Sequence, residues 1–348
     1  MQADDVESPY RPRTGMSPEC PAEMACVVIG RNEGERLSES LRSVQAAGLR
    51  LLYVDSGSTD ESLENAAKLG IQSIKLDPSR PFSAARGRNE GLQEVCVLWP
   101  ETRFVLFLDG DCTVEPCFPS LAAKQLLDIY ECAIVTGHLT EQYPDQSIYN
   151  RLCSIEWRSP AGRLDSLSAL GGIMCGRVSA LQAVGLFNER AIAGEEADLG
   201  VRLRLAGYSI FKIDAPMAVH DARILSFRQW WTRAVRGGYS FAHRYAQHGR
   251  TRFHDGRREV FSAIVWGFAL PATVLALLYP SRGLSALLLG GYVLLGVRMY
   301  RYYRRQGLTA SDSLLSARFG LYAKFAHFVG ILRFLRVGSK QPRIIEYK

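Results

Sequence analysis

The 348-residue chain has no CxxC pair and no cysteine spacing suited to a metal; its eight cysteines are scattered at positions 20, 26, 96, 112, 117, 132, 153 and 175. That scatter in a long chain predicts reduced thiols and a cytosolic compartment, and excludes a disulfide framework. No period of roughly 20 to 50 residues recurs, so a solenoid or propeller is excluded as well. Residues 1–21 contain Asp4, Asp5, Glu7 and four prolines but no apolar run, and they read as a flexible tail, neither secretory signal nor anchor. Residues 222–258 lack lysine entirely and hold one acid, Asp255, against nine arginines. Overall, 47% apolar and 22% charged residues exclude a wholly disordered, collagen-like or coiled-coil chain. The net charge of +7 predicts an anionic partner and leaves its class to the placement of the charge.

From residue 25 onward, short apolar runs alternate with amphipathic stretches. Residues 25–29 are followed by Leu37, Leu41, Val44 and Ala47 at helical spacing, ending at Gly48. Further runs at 51–54, 71–76 and 104–108 are separated by helical patterns at about 59–69 and 84–98. Continuously apolar strands joined by helices predict an α/β fold with a mainly parallel central sheet covered on both faces. Ligands in such sheets bind beyond the carboxyl ends of the strands. Here those positions hold Arg31, Asn32 and Glu33, then Asp55 to Asp60, then Asp109, Gly110 and Asp111.

Residues 260–279 run for twenty positions without a charge, and at about 1.5 Å per residue they are long enough to cross a bilayer core. A second, fifteen-residue run covers 283–297. Arginines precede the first run and follow the second, while Arg282 alone lies between them, which predicts a transmembrane or re-entrant hairpin with both ends cytoplasmic. Phe227, Trp230, Trp231, Ala234, Val235, Ala242 and Tyr245 form an apolar stripe through the arginine-rich stretch, the pattern of an interfacial helix on an anionic membrane surface. Arginine with aromatics also suits single-stranded nucleic acid; the adjoining hairpin favours the membrane, and no nucleic-acid partner is expected. The predicted organisation is a tail at 1–22, a catalytic domain at 23–222, a basic interfacial region at 223–258, the hairpin at 259–306 and an amphipathic, basic tail at 307–348.

Asp109 and Asp111, one residue apart after an apolar strand, suit a hard divalent cation that bridges a diphosphate. With residues 27–33 (VVIGRNE), 52–60 (LYVDSGSTD), 83–91 (SAARGRNEG), 105–111 (VLFLDGD), 171–188 (GGIMCGRVSALQAVGLFN) and 194–208 (GEEADLGVRLRLAGY), the chain resembles the family 2 glycosyltransferases of the GT-A fold. The six stretches keep the family order across about residues 25–222.

The resemblance implies inverting transfer of a sugar from a nucleotide-diphosphate donor to an acceptor hydroxyl. It places Asp55, Arg86, Asn89, Asp109, Gly171 and Gly172 on the donor, and Asp111, Asp109 and His220 on Mg²⁺ or Mn²⁺. Glu196, where the family usually has Asp, becomes the general base, with Glu195 and Asp198 as rivals in the same stretch. With the hairpin, the expected setting is a cell inner membrane or another membrane, the catalytic domain cytoplasmic and the acceptor a lipid-linked saccharide or exported glycan. Transfer directly to polyprenyl phosphate, a nucleotidyltransferase, and a catalytically silent membrane assembly subunit remain alternatives.

Overall fold

Strand β1 (Met24–Gly30) buries every residue but the last because it lies between two parallel neighbours, β2 (Arg50–Asp55) and β4 (Phe104–Asp109), with helices on both faces. The computed structural model describes residues 22–164, 170–191 and 193–338; the tail expected over 1–22 lies outside it except for its last residue, as do residues 339–348. Successive side chains divide between two cores. Val27, Val54 and Phe107 pack with Leu92 and Val95 of α3 (Ala84–Leu98), whereas Cys26, Val28 and Leu106 pack with Leu37, Leu41 and Val44 of α1 (Glu35–Ala46). After α2 (Ser62–Lys68), strand β3 (Gln72–Lys75) closes the parallel edge, shorter and more exposed than the apolar run predicts.

The register sets Asp109 opposite Ile29 and Gly30 opposite Asp55, so three strands end at one edge of the sheet. Beyond β4 the chain turns through Gly110, whose N–H donates to the Ile29 carbonyl at 2.8 Å, into β5 (Cys112–Val114). Then follow α4 (Phe118–Asp128), β6 (Cys132–Glu141), α5 (Ile148–Glu156), β7 (Gly162–Arg163), β8 (Met174–Arg177), α6 (Val178–Ala183), α7 (Glu195–Leu205) and β9 (Ser209–His220). The strand order is β3-β2-β1-β4-β8-β6-β9-β5, with β7 beside β9, and β8 is antiparallel to both of its neighbours. Antiparallel pairing of β5 with β9 sets Cys112 opposite His220, which brings the end of the second half of the sheet to the carboxyl edge of the first.

The remaining described residues are mainly helical: α8 (Phe227–His248), a first hairpin arm made of α9 (Arg257–Ile264), a π-helical turn (Val265–Ala269) and α10 (Leu270–Leu278), then a 3-10 turn (Leu284–Leu289), α11 (Gly290–Arg305) and α12 (Ala310–Val337). The apolar stripe of α8 is not bare. Trp230 meets Phe319 edge-on at 4.8 Å and Tyr239 meets Phe334 at 5.4 Å, both partners on α12. Gly238 and Gly330 permit the approach, because a Cβ on either would collide with the backbone of the facing helix. From Trp230 on, the stripe therefore packs on protein where the sequence predicts lipid, Phe227 alone of its residues staying exposed, and the expected amphipathic tail is, over Ala310–Val337, the helix that covers it. A stripe shows that a face is covered but not by what.

Candidate active site

Asp55, at the end of β2, is 1% exposed and its carboxylate accepts from the Tyr53 hydroxyl at 2.9 Å and from the Gly57 and Ser58 N–H groups at 3.0 and 2.9 Å. Burial, reinforced by Asp55, pushes the Tyr53 hydroxyl well above its ordinary value, so it stays a proton donor to that carboxylate. On α3, Arg86 donates from Nε to Glu90 at 2.6 Å and from Nη1 to the carbonyls of Asp77 and Arg80, both at 2.9 Å. Its Nη2 is buried without a hydrogen-bond partner among the described residues.

The chemical centre is organised by a residue that the sequence reading passed over. Arg88, two positions from Arg86, is 2% exposed and donates to Asp109 at 3.0 Å, Glu195 at 3.0 Å and Glu196 at 3.3 Å. Burial alone would lower its proton affinity, but the three carboxylates reverse that and hold the guanidinium charged. Its position is itself supported. Asn89 grips Phe187 through both backbone groups, at 2.9 and 3.0 Å, and Arg88 lies over the Phe187 ring at 5.5 Å. Asn89, expected near the donor, thus acts on Arg88 through Phe187. Gly172 leaves room for the same pair, since a Cβ there would strike the Arg88 guanidinium and come within 2.8 Å of Asp109; Gly171 faces no such crowding.

Glu196, in the first turn of α7, faces a cavity of about 410 Å³ that is also lined by Asp109, Gly171, Gly172, His220 and Trp157. Burial, then repulsion from Glu195, pushes its carboxyl up to about 8 against the pull of Arg88. Glu195 and Asp198 do not line that cavity. Asp198 accepts from His248 at 2.7 Å and from Arg202 at 2.9 Å, and although burial raises its proton affinity these partners hold it below the usual carboxylate range. Gly194, at φ +76°, starts α7 directly against Ser240 of α8, so the helix that carries Glu196 is seated on α8 from both Gly194 and Asp198.

Asp111 and His220 come together at 3.3 Å, and with the Cys112 thiol their ligand atoms all lie within 4.8 Å of one another. The His220 ring stacks on Trp157, with centroids 4.9 Å apart, and burial lowers its proton affinity so that the imidazole offers a lone pair. A carboxylate with a neutral imidazole fits a divalent ion of the Mn²⁺ or Mg²⁺ type. Asp109, expected as a second metal ligand, lies outside this cluster, its carboxylate being turned to Arg88; burial pushes the Cys112 thiol up, so it stays protonated and donates to Asp111. Cys112 and Trp157 carry no signal in sequence: one is a core-like residue beside the acidic pair, the other one aromatic among many.

Residues 26–175 match the profile of Glycosyl transferase family 2. The chain carries a family 2 glycosyltransferase domain. Its fold is GT-A: the mannosyltransferase PcManGT from Pyrobaculum calidifontis, solved in complex with GDP-Man and Mn²⁺, superposes with a TM-score of 0.56 at 17% identity, covering 86% of this chain and 87% of that one. Pre-mycofactocin glycosyltransferases of two Mycobacterium tuberculosis strains, CDC 1551 / Oshkosh and H37Rv, are each 27% identical over 319 residues, 86% of this chain. The chain spans 62% of the length of these relatives. The matched family 2 segment contains Asp55, Arg88, Asp109 and Asp111 but ends before Glu196 and His220, which join Asp109 in lining the cavity through α7 and β9.

Proposed function

We propose that this chain is an inverting glycosyltransferase that moves a sugar from a nucleotide-diphosphate donor to a hydroxyl of a lipid-linked or exported glycan. The observation that carries the reading is Glu196, a cavity-facing carboxyl with raised proton affinity, joined through Arg88 to Asp109 at the strand edge. Asp55 and the unpartnered Nη2 of Arg86 supply polar groups for the nucleoside. Glu196 accepts the proton of the acceptor hydroxyl as its oxygen attacks the anomeric carbon opposite the leaving group; one such displacement inverts the centre. Asp111 and His220 would hold the divalent ion, which would offset charge gathering on the departing nucleotide diphosphate. Asp111→Asn is expected to lower kcat by roughly 10³-fold, a Lewis-acid ion being worth several kcal/mol, while the melting temperature is kept. A donor screen by mass detection of the product reads this, and full activity after exhaustive chelation would exclude the metal.

We also infer a membrane setting with the catalytic domain cytoplasmic. Among the described residues one helix, Arg257–Leu278, is long and apolar enough to cross a bilayer, and only 17% of its most apolar window is buried. Leu275, Leu287, Leu288, Val293 and Leu294 extend an exposed apolar surface around the hairpin. The full chain is expected to stay with membranes through alkaline carbonate washing. Cysteines introduced as Arg258→Cys and Gln306→Cys are expected to label only from the cytosolic side; labelling from opposite sides would defeat the hairpin.

A further inference from the structure

The cavity that holds Glu196 is also lined by the polar residues Thr136, Ser159 and Lys212. Lys212, on β9 between β6 and β7, is 4% exposed. Its amine donates to the Ser159 hydroxyl at 2.8 Å, and among the described residues no carboxylate lies within ion-pair distance. The acids nearby are all engaged: Glu156 receives both arms of Arg233 at 2.7 and 2.9 Å, and Asp109 and Glu196 share Arg88. Asp214, two residues along β9, has an 88% exposed side chain bonded to His138. An ammonium has three N–H donors, and a neutral hydroxyl takes only one of them. Burying such a cation without a counter-charge is costly, and burial accordingly lowers its proton affinity.

We propose that Lys212 and Ser159 form a subsite for an anionic group, carboxylate or phosphate, on the acceptor. The cavity is lined by Glu196 and Asp109 but not by Asp55, so Lys212 and Ser159 serve the molecule that presents the attacking hydroxyl, not the nucleoside. An anion there supplies the missing counter-charge, accepts the remaining N–H donors and fixes the distance between the acceptor's charge and the hydroxyl at Glu196. The inference rests on the reading of this cavity as the acceptor chamber of a glycosyltransferase.

The test is calorimetric titration of the detergent-solubilised full chain with inorganic phosphate, with acetate, and with glycerol as the uncharged control. Excess UDP and GDP with Mg²⁺ keep the nucleotide edge filled. At least one anion is expected to bind and glycerol not to. Lys212→Gln should weaken that binding at least tenfold, Ser159→Ala a few-fold, and Lys212→Arg least. The preferred anion distinguishes a phosphate group from a carboxylate. Binding of neither anion, or equal binding by Lys212→Gln, overturns the subsite; if Lys212→Gln does not fold, unchanged binding by Ser159→Ala does so. Donor turnover is measured separately. Anion binding by a wild-type chain that never consumes a nucleotide sugar sinks the glycosyltransferase reading, whereas turnover without anion binding sinks only the subsite.

Discussion

Arg88→Met is expected to abolish glycosyl transfer and to destabilise the fold by about 3–5 kcal/mol, the cost of removing one partner from a buried ionic group. Methionine matches much of the arginine stem, so the loss is chiefly electrostatic: Asp109, Glu195 and Glu196 would be left together without the cation that holds them. Lysine should rescue poorly, because an ammonium donates from one nitrogen and cannot span three separate carboxylates as the planar fork does. Denaturant unfolding and donor-consumption assays read the two effects. The pH dependence separates them. Below the carboxylate range the orphaned acids are protonated and the stability deficit of Arg88→Met should narrow, while transfer stays lost. A variant that unfolds like the wild type at neutral pH would show that Arg88 does not organise the site.

Much of the fold is legible because strands buried on both faces must be apolar throughout, and residues 25–29, 51–54 and 104–108 carry that mark plainly. Asp55 and Asp109 are legible for the same reason, since a carboxylate closing an apolar strand lies at the ligand edge. Arg88 was hidden by its neighbours. In SAARGRNEG it is one of two arginines, and only packing distinguishes Arg86, tied to a loop, from Arg88, driven between three acids. The small residues around it held a clue: Gly91 lets one face of α3 press against Val27 and Val54, so an arginine on that face is drawn into the protein rather than to solvent. Lys212 reads as an ordinary charge within a strand, because the feature that matters is the acid it lacks, and that is set by non-local pairing of β9 with β6 and β7. The α8 stripe failed in the opposite direction: its covering partner, α12, begins more than sixty residues beyond the end of α8.

Glu196→Gln is expected to separate activity from stability. The amide keeps the shape and can still accept a hydrogen bond from Arg88, which retains Asp109 and Glu195, but it cannot take a proton from the acceptor; kcat should fall by about 10²–10⁴-fold while donor binding survives. In the wild type the carboxyl, at about 8, must lose its proton to act, so kcat should climb about tenfold per pH unit below that value and level off above it. The sign for stability is the reverse. The folded chain holds this proton more tightly than the unfolded chain, whose carboxyl has the ordinary value of 4.5, so the stabilisation is complete below 4.5 and is lost as pH rises through about 8. At pH 9 the ionised Glu196 is then a burden on the native state, and the glutamine variant should melt higher than the wild type by several degrees, given roughly 2–4 °C per kcal/mol for a domain of this size. At pH 4 the two should melt nearly together. Loss of transfer in Glu195→Gln or Asp198→Asn with retention in Glu196→Gln would move the base to a neighbour. The geometry opposes that outcome, because Glu195 does not line the cavity and the Asp198 carboxylate is committed to His248 and Arg202.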